Sequence, residues 1–187
     1  ANRAYFIERL DEELQVKNTE NETMAVLFLD LDRFKTINDS LGHDVGDQVI
    51  QTIAQRISRI IGKRGIVARF GGDEFTILIS SPTNETLATL IAGEILNEVT
   101  KPFLLKNSET FISCSIGIVL TDEKSNDSQA LLRDADSAMN RAKDLGRNRI
   151  EIADRHVHKL AMSELKTINE LHRAVGNGEI KAFYQPI

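Results

Sequence analysis

Two apolar runs, "IVARF" from Ile66 to Phe70 and "FTILIS" from Phe75 to Ser80, are separated only by Gly71, Gly72, Asp73 and Glu74. This feature restricts the fold more than any other in the chain. Strand-like runs this close, with a glycine pair between them, predict an antiparallel hairpin. The segments around it alternate strand and helix. "MAVLFLDLD" (Met24 to Asp32) is a near-continuous apolar run and predicts a central strand buried on both faces, with its acids at the strand end. Ile50, Ile53, Ala54, Ile57, Ile60 and Ile61 recur at helical spacing and are stopped by Gly62. Glu85–Val99 predicts a second helix on Leu87, Leu90, Ile91, Ile95 and Val99, and Phe111–Val119 a strand. A third helix carries Leu131, Ala135, Ala138, Ala142 and Leu145, before a short strand at Arg149–Ile152. A hairpin inside such an alternation favours an α+β fold with a mainly antiparallel central sheet flanked by helices over a doubly wound parallel sheet.

Beyond Ala153, Val157, Leu160, Ala161, Leu165, Ile168, Leu171 and Val175 mark one side of a further helix, and "EIKAFYQPI" reads as a strand. The expected organisation is one domain over 1–153, a linker helix over 154–178 and the first strand of a further domain over 179–187. Both ends read as cut from a longer chain.

The 187 residues, 41% hydrophobic and 27% charged, suit a soluble domain with a real core. A formal charge of −5 and a pI near 5.4 argue against broad binding to DNA or RNA, which requires clustered cations. The lone Cys114, inside a strand-like run, is expected to be a buried thiol, and a cytoplasmic, reducing compartment follows as the default. No apolar stretch approaches membrane-span length.

The chemistry lies at the strand ends. Asp30 and Asp32 leave the first strand and Asp73 and Glu74 occupy the hairpin, so pairing of the two would bring four acids together. Clustered hard oxygen donors are what Mg²⁺ requires, and a cation would relieve their repulsion; solvation of a turn is the plainer reading for any one of them. The following "RFKTINDSLGHDVGDQ" reads as a polar turn region whose amides suit phosphate and whose Asn38 and Asp47 suit either a purine edge or helix capping. Lys143 and Arg147, four apart at the end of the third helix, suit either a phosphate clamp or the helix dipole. The four histidines show no zinc-like pattern.

"FLDLDRFKTIND", "GHDVGD", "ARFGGDEF" and "RAKDLGRNR" occur in the order found in GGDEF diguanylate cyclase domains, and "NR" at Asn2–Arg3 resembles the end of that family's N-terminal turn. "ELHRAVGNGEIKAFYQPI" resembles the entry to an EAL phosphodiesterase domain, without that domain's signature or metal ligands. The resemblance implies a nucleotidyl-cyclase or polymerase-palm-like fold with a ferredoxin-like core. It implies condensation of two GTP into cyclic di-GMP with release of two pyrophosphates, across a head-to-head homodimer. Carried onto this sequence, it gives Asp30, Asp73, Glu74 and the Leu31 carbonyl as ligands of Mg²⁺, for which Mn²⁺ can substitute. Asp73, Glu74 and Lys143 are the implied catalytic residues. Phe34 and Lys35 would supply phosphate-binding amides, Asn38 and Asp47 would read guanine, Gly71 and Gly72 would make room for the nucleotide, and Lys143 and Arg147 would hold the triphosphate. The positions of the family's Arg-x-x-Asp product-inhibition motif read "GKRG" at Gly62–Gly65, so that site is expected to be absent. The alternatives are a GTP-binding module that regulates an attached EAL phosphodiesterase without turnover, and a polymerase-like palm, which the acidic charge disfavours.

Overall fold

The computed structural model describes residues 1–20, 23–80, 83–105, 108–122 and 125–153. The chain separates into two units, Ala1–Ala153 and Asp154–Ile187. The expected linker helix and terminal strand fall in the second, outside the described residues. The first unit runs α1 (Arg3–Glu20), β1 (Ala25–Leu31), α2 (Phe34–Leu41), α3 (His43–Ile61), β2 (Gly65–Gly71), β3 (Glu74–Ile79), α4 (Glu85–Val99), β4 (Phe103–Leu105), β5 (Ser108–Thr110), β6 (Cys114–Leu120), α5 (Ser128–Asp144) and β7 (Arg149–Ile152).

Strands β2-β3-β1-β6-β7 form one sheet, antiparallel except for the β6–β7 pair, and β4–β5 form a separate hairpin. The α+β class and the hairpin expected from the sequence are therefore present. All seven residues of β1 are buried, and strand alternation divides them between two cores. Ala25, Leu27, Leu29 and Leu31 pack with α3 and α4 through Ile53, Ile57, Ile91 and Ile95. Val26 and Phe28 pack with α1 and α5 through Phe6, Leu10, Leu131 and Ala135. Helices thus cover both faces of the sheet.

Gly117 sets how closely α5 approaches β6: a Cβ there would lie 2.0 Å from the Ala135 carbonyl oxygen and 2.3 Å from the Met139 nitrogen. Arg56, on α3, closes the C-terminal end of α4. Its guanidinium donates to the carbonyls of Glu98 (3.0 Å), Lys101 (3.0 Å) and Pro102 (3.2 Å) and lies 4.2 Å from the Phe103 ring centre. A fork of donors suits the carbonyls at a helix C-terminus. Cys114 is a buried free thiol whose pKa is raised chiefly by desolvation.

Several expectations are corrected. The region read as a polar turn forms α2 and the first turn of α3, because Phe34, Ile37, Val45 and Gly46 supply buried contacts amid polar surface. Helix α1 was not foreseen; Phe6, Leu10 and Leu14, four apart, form its buried stripe. The strand expected from Phe111 starts at Cys114, leaving Phe111 66% exposed. Leu90 and Leu145 are exposed rather than core. Leu145 is the C-cap residue of α5, beyond the last turn that packs.

Candidate functional site

The end of β1, the β2–β3 turn and the last turn of α5 meet at one edge of the sheet. In the register of β1 and β3, Asp30 stands opposite Glu74, and the Leu31 N–H donates to the Asp73 carbonyl at 3.3 Å. Directly opposite residues on neighbouring strands share a face, so the hairpin pairing itself brings these acids together. From α5, Lys143 Nζ lies 2.8 Å from Asp30 Oδ2. The turn is shaped by a bulge between Arg69 and Gly71, by Gly72 at φ +36°, and by Arg69 Nε, which donates to the Gly72 carbonyl at 2.9 Å. Open space surrounds the position a Gly72 Cβ would take.

Asp30 and Glu74 hold their protons more tightly than ordinary carboxyls. Burial raises the pKa of Asp30 most, with Asp73 and Asp32 adding to it and Lys143 opposing it. Glu74 is raised first by burial, then by Asp30, Asp136 and Asp73, again against Lys143. Ionising Asp30 and Glu74 is therefore costly, and further positive charge would favour it.

Asp32 acts on Asp30 through its charge, but its own carboxylate is held by protein donors. Its Oδ2 accepts hydrogen bonds from Ser113 Oγ at 2.6 Å and the Asn148 N–H at 3.1 Å, and its Oδ1 accepts from Ser115 Oγ at 2.7 Å. The "ISCSIG" stretch carried the signal, since Ser113 and Ser115 alternate onto one face, but the sequence does not show that they meet a residue more than 80 positions earlier.

A cavity of about 350 Å³ opens beside the hairpin turn, lined by Phe34, Lys35, Asn38, Asp47, Gly72 and Asp73 with His43 and Arg69. Six residues expected to bind substrate or metal thus share one wall system. Asn38 and Asp47 lie within α2 and α3, and neither caps a helix: the N-cap positions belong to Arg33 and Gly42, with no side-chain cap. Arg33 sits there in the left-handed region, φ 57°, and the first amides of α2 point out of the helix end. Arg69 and His43 were not singled out from the sequence; the position of Arg69, one residue removed from the glycine pair, is its only signal.

Lys143 and Arg147 diverge rather than forming one clamp. Helix α5 ends in a Schellman turn, with the Arg147 N–H on the Ala142 carbonyl (3.0 Å), the Gly146 N–H on the Lys143 carbonyl (3.3 Å) and Gly146 at φ +114°. Lys143 turns to Asp30. Arg147 instead lines a second cavity of about 540 Å³, with Asp32, Arg33, Thr36, Ser113 and Asn148, behind α2. Among the described residues, no three His, Cys, Asp or Glu side chains converge as a metal cage.

Residues 1–149 match the family described as "Diguanylate cyclase, GGDEF domain". From Pseudomonas aeruginosa, the cyclic di-GMP phosphodiesterase NbdA is 33% identical over 186 residues, covering 100% of this chain and 24% of NbdA. The bifunctional diguanylate cyclase/cyclic di-GMP phosphodiesterase MucR of the same organism is 34% identical over 185 residues, covering 99% of this chain and 27% of MucR. This chain spans about a quarter of the length of these curated relatives. The crystal structure of the GGDEF domain of TpbB (YfiN), also from Pseudomonas aeruginosa, is 42% identical and superposes with a TM-score of 0.78 over 82% of this chain and 96% of that one. The palm-like fold, the hairpin carrying its two acids and the match over residues 1–149 agree: this chain belongs to the GGDEF diguanylate cyclase family.

Proposed function

We propose that the domain is an active diguanylate cyclase, condensing two GTP into cyclic di-GMP as a homodimer. The observation that carries this reading is the meeting of Asp30, Asp73, Glu74 and Lys143 at one sheet edge beside the cavity lined by Asn38 and Asp47. Catalytically silent relatives would be expected to lose such residues; here each is present.

The donor set fits a hard divalent cation. Mg²⁺ is ordinarily held by one or two carboxylates together with substrate phosphates and water, not by an all-protein cage. Asp30, Asp73, Glu74 and the Leu31 carbonyl would hold it, and the raised pKa of Asp30 and Glu74, due first to burial and then to neighbouring acids, supports this reading. Once bound, the ion would supply charge neutralisation at the phosphates and acidify the attacking hydroxyl. In the same reading, Asn38 and Asp47 orient guanine, and the α2 amides near Phe34 and Lys35 hold phosphate oxygens. Gly71 and Gly72 leave the turn open to the nucleotide, and Lys143 and Arg147 balance the triphosphate charge from two sides. Glu74, whose pKa is raised first by burial, would in its ionised form take the proton from the 3'-hydroxyl.

The test is GTP turnover across a range of protein concentrations with Mg²⁺, cyclic di-GMP being detected by mass. Product rising more steeply than linearly with protein supports a dimerising cyclase. GTP bound to a demonstrated dimer without product points instead to a regulatory module, the reading favoured by the phosphodiesterase name of NbdA.

Two further outcomes follow. Gly46 lies in the first turns of α3, and a Cβ there would meet Asn38 Oδ1 at 1.9 Å and Phe34 Cζ at 3.1 Å. Asn38 is the more movable, so Gly46→Ala displaces the guanine-reading amide while adding about 0.5–1 kcal/mol of helix propensity. Titration should show GTP affinity down on the order of tenfold, the loss expected for a buried hydrogen-bonding group, with an undiminished melting temperature. The "GKRG" stretch, a short 3₁₀ turn running into β2, offers neither the Arg nor the Asp of the inhibitory motif. Cyclic di-GMP at micromolar concentration should therefore leave initial rates unchanged, and strong inhibition through this turn would refute that.

A further inference from the structure

Two segments converge on the Asp32 carboxylate, which is only 7% exposed. Ser113 and Ser115 reach it from the start of β6, and the Asn148 N–H reaches it from the α5–β7 turn. The Asp32 N–H donates in turn to the Ser113 carbonyl at 2.9 Å. The non-glycine residues with positive φ among the described residues are Arg33 (57°), Arg147 (65°) and Asn148 (47°), and all three adjoin this network. Left-handed backbone at bulky residues persists only where the surroundings enforce it, and it clusters at functional sites. Here the enforcement is visible: the bond from Asn148 to Asp32 fixes the turn that carries Arg147, and the chain reverses into Arg33 directly after Asp32.

We infer that Asp32 is a positioning residue, which acts through the Asn148 amide to hold Arg147 at the triphosphate end of the nucleotide site, and that it is not a metal-binding member of the acid cluster. The inference rests on the proposed GTP site. Its physical basis is the division of labour between the two aspartates of "DLD". Asp30 faces Lys143 and Glu74, with its ionisation resisted by burial and by other acids. Asp32 accepts three hydrogen bonds from protein donors, on both of its oxygens. A carboxylate with three donors already on it is a poor cation ligand but a strong anchor, because charge-assisted hydrogen bonds are about twice as strong as neutral ones. Arg147 gains from this. A guanidinium on a turn fixed at its base loses less freedom on gripping a phosphate than one on a loose loop.

The test measures affinity, with Mg²⁺ present, for the non-cleavable GTP analogue bearing an α,β-methylene bridge and, separately, for GMP, using the full 187-residue chain. Asp32→Ala should weaken binding of the triphosphate on the order of tenfold, the range for losing a hydrogen bond to a charged group. GMP binding, which does not need the far phosphates, should change by less than about twofold. Made in an Arg147→Ala background, Asp32→Ala should add little further loss, because the two residues act as one unit. Asp32→Asn should recover most of the lost affinity: its amide oxygen can face the Asn148 N–H while its NH₂ group faces a serine hydroxyl, which accepts as readily as it donates. A metal ligand would not tolerate that change. Should Asp32→Ala fold poorly, Ser113→Ala provides a second route, with a smaller loss confined again to the triphosphate.

Unchanged triphosphate affinity in Asp32→Ala would overturn the inference. So would equal loss of GMP binding, full additivity with Arg147→Ala, or an Asp32→Asn chain as impaired as Asp32→Ala. A wild-type chain that binds neither nucleotide would instead defeat the reading of the site as a GTP site, and the inference with it.

Discussion

Changing Glu74 to glutamine is expected to lower cyclic di-GMP formation by roughly 10²- to 10⁴-fold, the range associated with removing a positioned proton-transfer group, while GTP remains bound. Glutamine keeps the size and one oxygen of the side chain but can neither carry charge nor take a proton. The same change should not weaken the fold. Glu74 has a raised pKa in the folded chain, so the folded form binds its proton more tightly than the unfolded form does. Any stability from that proton is present at low pH and is lost as pH rises through the raised value. At neutral pH the ionised group is a net cost, and a neutral glutamine removes it. A melting temperature at pH 7 equal to or above that of the unaltered chain, together with lost turnover, is the expected pair of results. Retained turnover would remove Glu74 from the mechanism.

Gly117→Ala is expected to give the largest stability change. The added methyl would lie 2.0 Å from one backbone atom of α5 and 2.3 Å from another. Neither can rotate aside, so α5 as a whole must move off β6. Overpacking of this kind costs about 1–3 kcal/mol where side chains can yield, and backbone contacts on this scale place the loss at about 3 kcal/mol or more. For a domain of this size that corresponds to a fall in melting temperature of roughly 6–12 °C, measured by circular dichroism. A change under about 2 °C would mean that α5 is free to shift. Because α5 also carries Lys143 and leads into Arg147, turnover should fall further than the lost stability alone requires.

The parts of the fold that could be read from sequence are those where one pattern dominates. β1 is almost wholly apolar because both its faces are covered, and the β2–β3 turn carries Gly72, whose positive φ suits a glycine. The helical stripes of α3, α4 and α5 were largely right, with errors at Leu90 and Leu145, where an apolar residue is simply exposed. Helix α2 was missed because it has only two buried residues in eight, too few to impose a period on a polar segment. The acids of the site were legible as a group, since strand pairing decides which residues face one another. The role of Asp32 was not. Spacing two residues from Asp30 puts both on one face, but the donors that take up its carboxylate come from 81, 83 and 116 positions away. Likewise, the four-residue spacing of Lys143 and Arg147 left a phosphate clamp and the helix dipole both open, and it could not show that Lys143 pairs with Asp30 while Arg147 lines the other cavity.

The position of β1 at the centre of the sheet has a consequence for how the chain is made. Its partners are β3, ending at Ile79, and β6, ending at Leu120, so neither exists when Leu31 leaves the ribosome. At about 5–20 residues per second, the second partner arrives roughly 5–20 s later. During that interval a strand whose seven residues are all buried in the finished domain has both edges unpaired and is open to pairing with another nascent chain. Synthesis speed between β1 and β6, and holdase chaperones acting over that window, should therefore govern soluble yield more than the stability of the finished domain does.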